Sequence, residues 1–370
     1  MNVLCLYPGM DKQVNDNAHM LISLHKKGVN LAIITGRSMG LKGQGKLPAY
    51  EEMDGIPIHR LYESIDMWLF PNKALKRVLE IAQDLKPDLI FCSQELNMRL
   101  ALMIQKTLKK PIVLLVEDAG RILSGEAYRS TKMKSLMFLF GIPSGPMLWS
   151  WLCQKTDALI TCSPRDQANL VSLSKHNKPL YFLPWPSHIP ENFEQAQIRD
   201  RGKALYIGSL SQVKNTQEFE LTLPVILRET ETKQFIIVGL GPHIPIIKKL
   251  KEQYGQRIIH INHLIRDEAL KLISSCYYAY SPVITGGWGF VGDCWSMKTP
   301  IIMTHNDHYV INNKNALVAN DINDLIKNIN LLYKQQDLYE TLQKNGYEEY
   351  TNRSAKTVAD KLYSIFLSLN

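Results

Sequence analysis

The chain has 370 residues, 45% of them apolar and 21% charged, with a formal net charge of +8. That length suits about two domains, each able to bury a core of its own. No low-complexity tract marks disorder, and no uncharged apolar run reaches the roughly eighteen residues that cross a membrane. The nearest approach, residues 135–152, is broken by glycines and prolines. The apolar start at residues 2–7 is too short for a signal peptide and leads straight into a polar turn. Six cysteines are scattered without a Cys-x-x-Cys pair, several of them inside apolar runs. They read as buried thiols in a reducing, cytoplasmic compartment, not as a disulfide frame or a zinc site. Charge is uneven: residues 1–190 hold 23 Lys and Arg against 16 Asp and Glu. A basic first half favours an anionic partner, although solubility alone would also explain it.

In chain order, short apolar runs alternate with amphipathic stretches. Strands are expected at 3–7, 31–35, 88–92, 111–116, 158–161 and 180–183, with helices at 17–27, 97–109 and 165–173. Such a β-α-β rhythm implies a parallel sheet covered on both faces. Pro184, Pro186 and Pro190 then interrupt it, followed by a polar stretch up to Gly202. The rhythm restarts with strands at 204–207, 235–238, 258–261, 277–280 and 300–303 and a helix at 216–228. Helices close the chain at 322–332, 337–345 and 354–369. The expectation is therefore an α/β chain of two tandem Rossmann-like, doubly wound domains with a cleft between them. They divide into residues 1–190, a linker at 191–202, residues 203–350, and a terminal helix in 351–370 packing back on the first domain. In such sheets ligands bind beyond the carboxyl ends of the strands, where the strand order reverses.

Four motifs in the second half carry more. They are Tyr206-Ile-Gly-Ser-Leu-Ser-Gln-Val-Lys-Asn215, Ile237-Val-Gly-Leu-Gly-Pro242, the strand at 258–263 followed by a helix from Arg266, and Ser281–Ile302 with its four glycines. In this order they resemble the donor-binding half of retaining glycosyltransferases of the GT-B class (glycosyltransferase family 4-like). The resemblance covers most of residues 203–320 and, more loosely, the first domain. It implies a nucleotide-diphosphate sugar as donor substrate, with no cofactor and no metal, and transfer to an acceptor hydroxyl with retention. Diphosphate asks for backbone N–H groups at a helix start and for a cation. Gly286, Gly287, Trp288 and Gly289 stand between a strand and a helix expected over 291–297, and Lys214 follows Gly208. The resemblance places Gly208, Ser209, Gly239, Gly241, His263 and Thr285 against the donor as well. It gives the ribose hydroxyls to Asp293, on the first turn of the expected helix. Taken singly, these residues have plainer readings: a tight turn for Gly239 and Gly241, a solvated lysine for Lys214, an N-cap for Asp293, core packing for Trp288.

Three positions depart from the family pattern. Ser209 replaces an arginine, Thr285 replaces the first of two glutamates, and Glu117, followed by Asp118, stands where a histidine is expected. The catalytic set is then Lys214, stabilising the leaving diphosphate, with Glu117 and Asp118 positioning or deprotonating the acceptor. Gly9, Met10, His19 and Arg121 face the acceptor in the first domain. Arg121, Arg129, Lys132 and Lys134 precede the aromatic-rich residues 137–151, which suits a membrane interface or nucleic acid. Three functions follow: a transferase of bacterial surface glycan or lipid-linked saccharide synthesis, peripheral to the inner membrane face; a bacteriophage-type transferase acting on modified bases of DNA; and an inactive scaffold.

Overall fold

The computed structural model describes residues 1–10, 16–37, 47–62, 71–116, 146–162, 178–190, 193, 198–283, 288–305 and 309–369. The chain divides into two compact units, one of Met1–Pro186 with Ala355–Asn370, the other of Ser187–Ser354.

In the first unit the described residues form a sheet in the order β3-β4-β2-β1-β5-β6-β7-β8, parallel except for β3 against β4. Its strands are β1 (Asn2–Leu6), β2 (Asn30–Gly36), β3 (Tyr50–Met53), β4 (Ile56–Tyr62), β5 (Leu89–Ser93), β6 (Ile112–Val116), β7 (Ala158–Thr161) and β8 (Leu180–Phe182). The central strands are buried on both faces, which is why they read as unbroken apolar runs. One face packs on the helices Asn72–Leu85, Met98–Leu108 and Pro146–Lys155. The other packs on Asp16–Lys26 and on the terminal helix Ala355–Leu367, which sets Val358, Leu362 and Phe366 into the core. Phe366 meets Phe91 edge-on at 5.3 Å, and Asp360 pairs with Lys27. The hairpin β3–β4 has no counterpart among the expected elements. Its turn is Asp54-Gly55, both with positive φ (49° and 85°), as a two-residue hairpin turn requires.

The second unit holds β9 (Asp200–Ile207), β10 (Gln234–Val238), β11 (Ile258–Ile261), β12 (Cys276–Ser281), β13 (Ile301–Met303) and β14 (Leu317–Val318). All pair in parallel, in the order β11-β10-β9-β12-β13-β14. The reversal point lies between β9 and β12. Strand β9 begins at Asp200, so residues 200–202 are strand and not the end of the expected linker. Asp200 is the partner of Cys276, and the Asp200 carboxylate accepts from the Gly202 N–H at 2.9 Å. The six cysteines are buried and none is in a disulfide, and burial raises the thiol pKa of Cys153 and Cys276 to about 12. Among the described residues no helix is long and apolar enough to cross a membrane.

Candidate donor site at the strand ends of the second unit

The loops leaving β9 and β10 are stitched together beyond the sheet. Gly208 N–H donates to Val238 O at 3.0 Å, Leu210 N–H to Leu240 O at 2.9 Å, and His243 N–H to Leu210 O at 3.0 Å. This zipper accounts for the glycines. A Cβ on Gly239 would lie 1.9 Å from the Gly208 carbonyl oxygen, and one on Gly241 2.1 Å from that of Leu210. Both have φ near +150°, a region that side chains avoid. Gly208 leaves room for the buried Tyr206 hydroxyl, which donates to Ser209 O at 3.2 Å. The close approach at Gly239 and Gly241 is therefore chain against chain, a role the assignment of these two residues to the donor did not include.

The zipper fixes the turn that follows β9. Gln212–Lys214 form one 3-10 turn, closed by Asn215 in the left-handed conformation with φ 53°. Lys214 is half-buried, and no carboxylate or other acceptor among the described residues meets its ammonium. Burial alone draws its pKa below the ordinary lysine value. A partly desolvated cation without a counter-ion, at the reversal point of a parallel sheet, is an anion site in chemical terms. Ser209 is exposed and its hydroxyl lies 3.2 Å from that of Ser211. His263, in the loop after the edge strand β11, is exposed too.

Past β12 the picture differs from expectation. The helix runs Trp288–Ser296, so it starts three residues early and Asp293 falls in its second turn, not its first. Asp293 is buried in a two-pronged pair with Arg266, at 2.8 Å from Nη1 to Oδ2 and 2.7 Å from Nη2 to Oδ1. Arg266 also donates to His188 O at 2.8 Å. The carboxylate assigned to ribose hydroxyls is thus held by a protein partner. Reading the sequence missed Arg266 as that partner, because the two residues lie 27 positions apart on separate helices. Arg266 opens the helix Arg266–Ser275, whose first turn already holds Asp267 and Glu268, so nothing local points to Asp293.

Trp288 does not offer a face to a sugar. It is 6% exposed and is enclosed by Tyr309 at 5.2 Å, Trp295 at 5.7 Å and the Arg353 guanidinium at 5.0 Å. Gly292 makes room for that ring, since a Cβ there would meet it at 3.0 Å. Gly289 differs, because a Cβ on it would meet nothing within 4 Å. Thr285, Gly286 and Gly287 lie outside the described residues, as do Glu117, Asp118 and Arg121.

In the first unit, Met10 is fully buried in the core between sheet and helix, and its carbonyl accepts from Arg60 Nη2 at 3.0 Å. Its side chain therefore cannot touch an acceptor. Gly9 is half-buried, and His19 sits half-buried on the helix Asp16–Lys26.

No family model matches the chain, and no curated protein matches it in sequence. Solved structures do. A sucrose-phosphate synthase from Thermosynechococcus elongatus superimposes with a TM-score of 0.76 at 16% identity, covering 100% of this chain and 99% of that one. Anabaena HepE in complex with UDP and glucose gives 0.70 at 14% identity, covering 100% of both. A trehalose-6-phosphate synthase, studied for glycosyl transfer with retention, gives 0.69 at 10% identity, covering 100% of this chain and 99% of that one. The chain has the two-Rossmann-domain GT-B fold that these retaining enzymes share.

Proposed function

We propose that the protein is a glycosyltransferase that moves a sugar from a nucleotide-diphosphate donor to an acceptor hydroxyl with retention. The observation that carries this reading is Lys214, a half-buried ammonium at the reversal point of the second sheet that meets no anion among the described residues. A diphosphate supplies the missing charge, and the same contact stabilises the charge that grows on the leaving group during transfer. Support comes from the similar structures of Anabaena HepE in complex with UDP and glucose and with UDP-glucose. The rim adds an apolar shelf: Val213, Leu240 and Ile265, all more than half exposed, come from the loops after β9, β10 and β11. A flat base would cover such a shelf while its phosphates reach the lysine. Asp293 enters as an anchor for the Trp288–Ser296 helix, tied through Arg266 to residue 188.

The test is thermal unfolding in the presence of a panel of nucleotide sugars. A donor that binds the folded state raises the midpoint in proportion to ln(1 + [L]/Kd), and Lys214→Met removes that rise. If no nucleotide sugar shifts the wild-type transition, the reading is wrong.

For the acceptor we propose an anionic molecule, a lipid-linked glycan, because the positive excess sits in residues 1–190. Co-sedimentation with anionic vesicles at low salt should retain the protein, and neutral vesicles should not. Retention on duplex DNA instead, weakening steeply with salt, would move the acceptor to nucleic acid.

A further inference from the structure

Two more side chains at the reversal point are buried with polar atoms that meet no partner among the described residues. Asn215 is 3% exposed. Its Oδ1 accepts from Gln217, while its Nδ2 has no partner. Ser281, the last residue of β12, is 1% exposed and its hydroxyl has no partner. A buried amide or hydroxyl without a hydrogen bond costs on the order of 1–3 kcal/mol. Proteins keep few such groups, and each calls for an explanation. These two belong to the strand ends that flank the reversal point, one in the loop after β9 and one closing β12, and Asn215 directly follows Lys214.

Their chemistry narrows the ligand. An amide NH2 only donates, a hydroxyl donates readily, and an ammonium only donates. The three unpartnered groups here therefore ask for acceptor oxygens, and a diphosphate presents many, all negative. A sugar ring would leave its own hydroxyl protons without acceptors at the same spot. The cation that the family pattern places at Ser209 is absent, and Ser209 itself is turned toward Ser211 and solvent.

We infer that Asn215 Nδ2 and Ser281 Oγ are phosphate-oxygen donors of the nucleotide-diphosphate site, acting with Lys214. The inference rests on the reading of the protein as a nucleotide-sugar transferase and adds the residues that replace the missing arginine. Donor bonds to a charged oxygen are shorter and stronger than neutral ones, so two of them offset a substantial part of one lost cation.

The experiment compares UDP, ADP and GDP with their nucleosides by titration calorimetry on the full chain. Three variants are used: Ser281→Ala, Asn215→Asp and Lys214→Met. Asn215→Asp keeps the shape, the positive φ and the acceptor for Gln217, yet replaces the donor by an anion. Whichever diphosphate binds the wild type should bind at least tenfold more weakly to Ser281→Ala and Asn215→Asp, with nucleoside affinity unchanged. Without ligand, Ser281→Ala should unfold at the same temperature as the wild type or higher, because it removes an unsatisfied group; a purely structural hydroxyl would lower it. If Lys214→Met loses the diphosphate while Ser281→Ala and Asn215→Asp stay within twofold of the wild type, the inference fails and the transferase reading stands. If the wild type binds no diphosphate, both fall.

Discussion

Two cations stand at the strand ends of the second sheet, and they are treated in opposite ways. Arg266 is clamped by both oxygens of Asp293 and by the His188 carbonyl, so its charge is consumed within the fold. Lys214 is partly desolvated, and no described carboxylate faces it. A paired charge of the first kind holds helices and loops in register. An unpaired one of the second kind costs folding energy that only a bound anion returns. On the function proposed here, the Lys214 side of the rim would face the ligand and the Arg266 side would be scaffold, the reverse of what a carboxylate beside a glycine loop suggests.

The largest expected effect separates the two sides by activity. Lys214→Met should lower kcat by about 10²–10³-fold, the loss typical of removing one group that stabilises transition-state charge. It should leave the unfolding midpoint unchanged or higher, because a half-buried charge that no described residue pairs goes with it. Steady-state transfer and calorimetry check both halves. Next come two stability effects. Asp293→Asn strands a partly exposed guanidinium and should cost about 2–3 kcal/mol in denaturant unfolding, below the cost for a fully buried pair. Pairing it with Arg266→Met should recover part of that loss, which a ribose-binding carboxylate would not do. Gly239→Ala should cost about 3 kcal/mol, since a Cβ 1.9 Å from a carbonyl oxygen forces the zippered loops apart.

The pH dependence sharpens the contrast further. Burial disfavours the charged form of Lys214, so its pKa in the folded protein lies below the unfolded value. Between those two values the unfolded chain binds the extra proton, and the contribution of Lys214 to stability rises with pH across that window. Nucleotide affinity runs the other way, because the diphosphate needs the protonated amine. Affinity should fall by up to about tenfold per pH unit above the lowered pKa. Lys214→Arg should stay flat over the same range, as should any site in which another cation holds the phosphates.

The fold was largely legible because buried parallel strands are apolar on both faces. Ala158–Thr161 and Ile258–Ile261 are expected and found with the same limits. The β3–β4 hairpin was not, since Tyr50–Met53 is polar and the only local signal is Asp54-Gly55. Within the site, turns were readable and partnerships were not. The glycines of the β9 and β10 loops announce close approach, but only tertiary contact shows that they approach each other. Asp293 and Arg266 are 27 residues apart on separate helices, and Trp288 is closed in by rings from Trp295 and Tyr309. No local pattern of spacing carries such information.

The smallest effect tests what the glycine cluster is for. Gly289 is the second residue of the Trp288–Ser296 helix, its φ is not positive, and a Cβ on it would enter open space. Alanine should therefore fit and raise helix propensity, stabilising the fold by about 0.5 kcal/mol or less at a helix start. If no ligand approaches this helix start, Gly289→Ala changes nothing else. If it lets a phosphate reach the helix N–H groups, the added methyl occupies that space and diphosphate affinity drops severalfold while stability rises slightly. A variant more stable yet weaker in binding would place the diphosphate against this helix, and equal affinity would confine it to the Lys214 side.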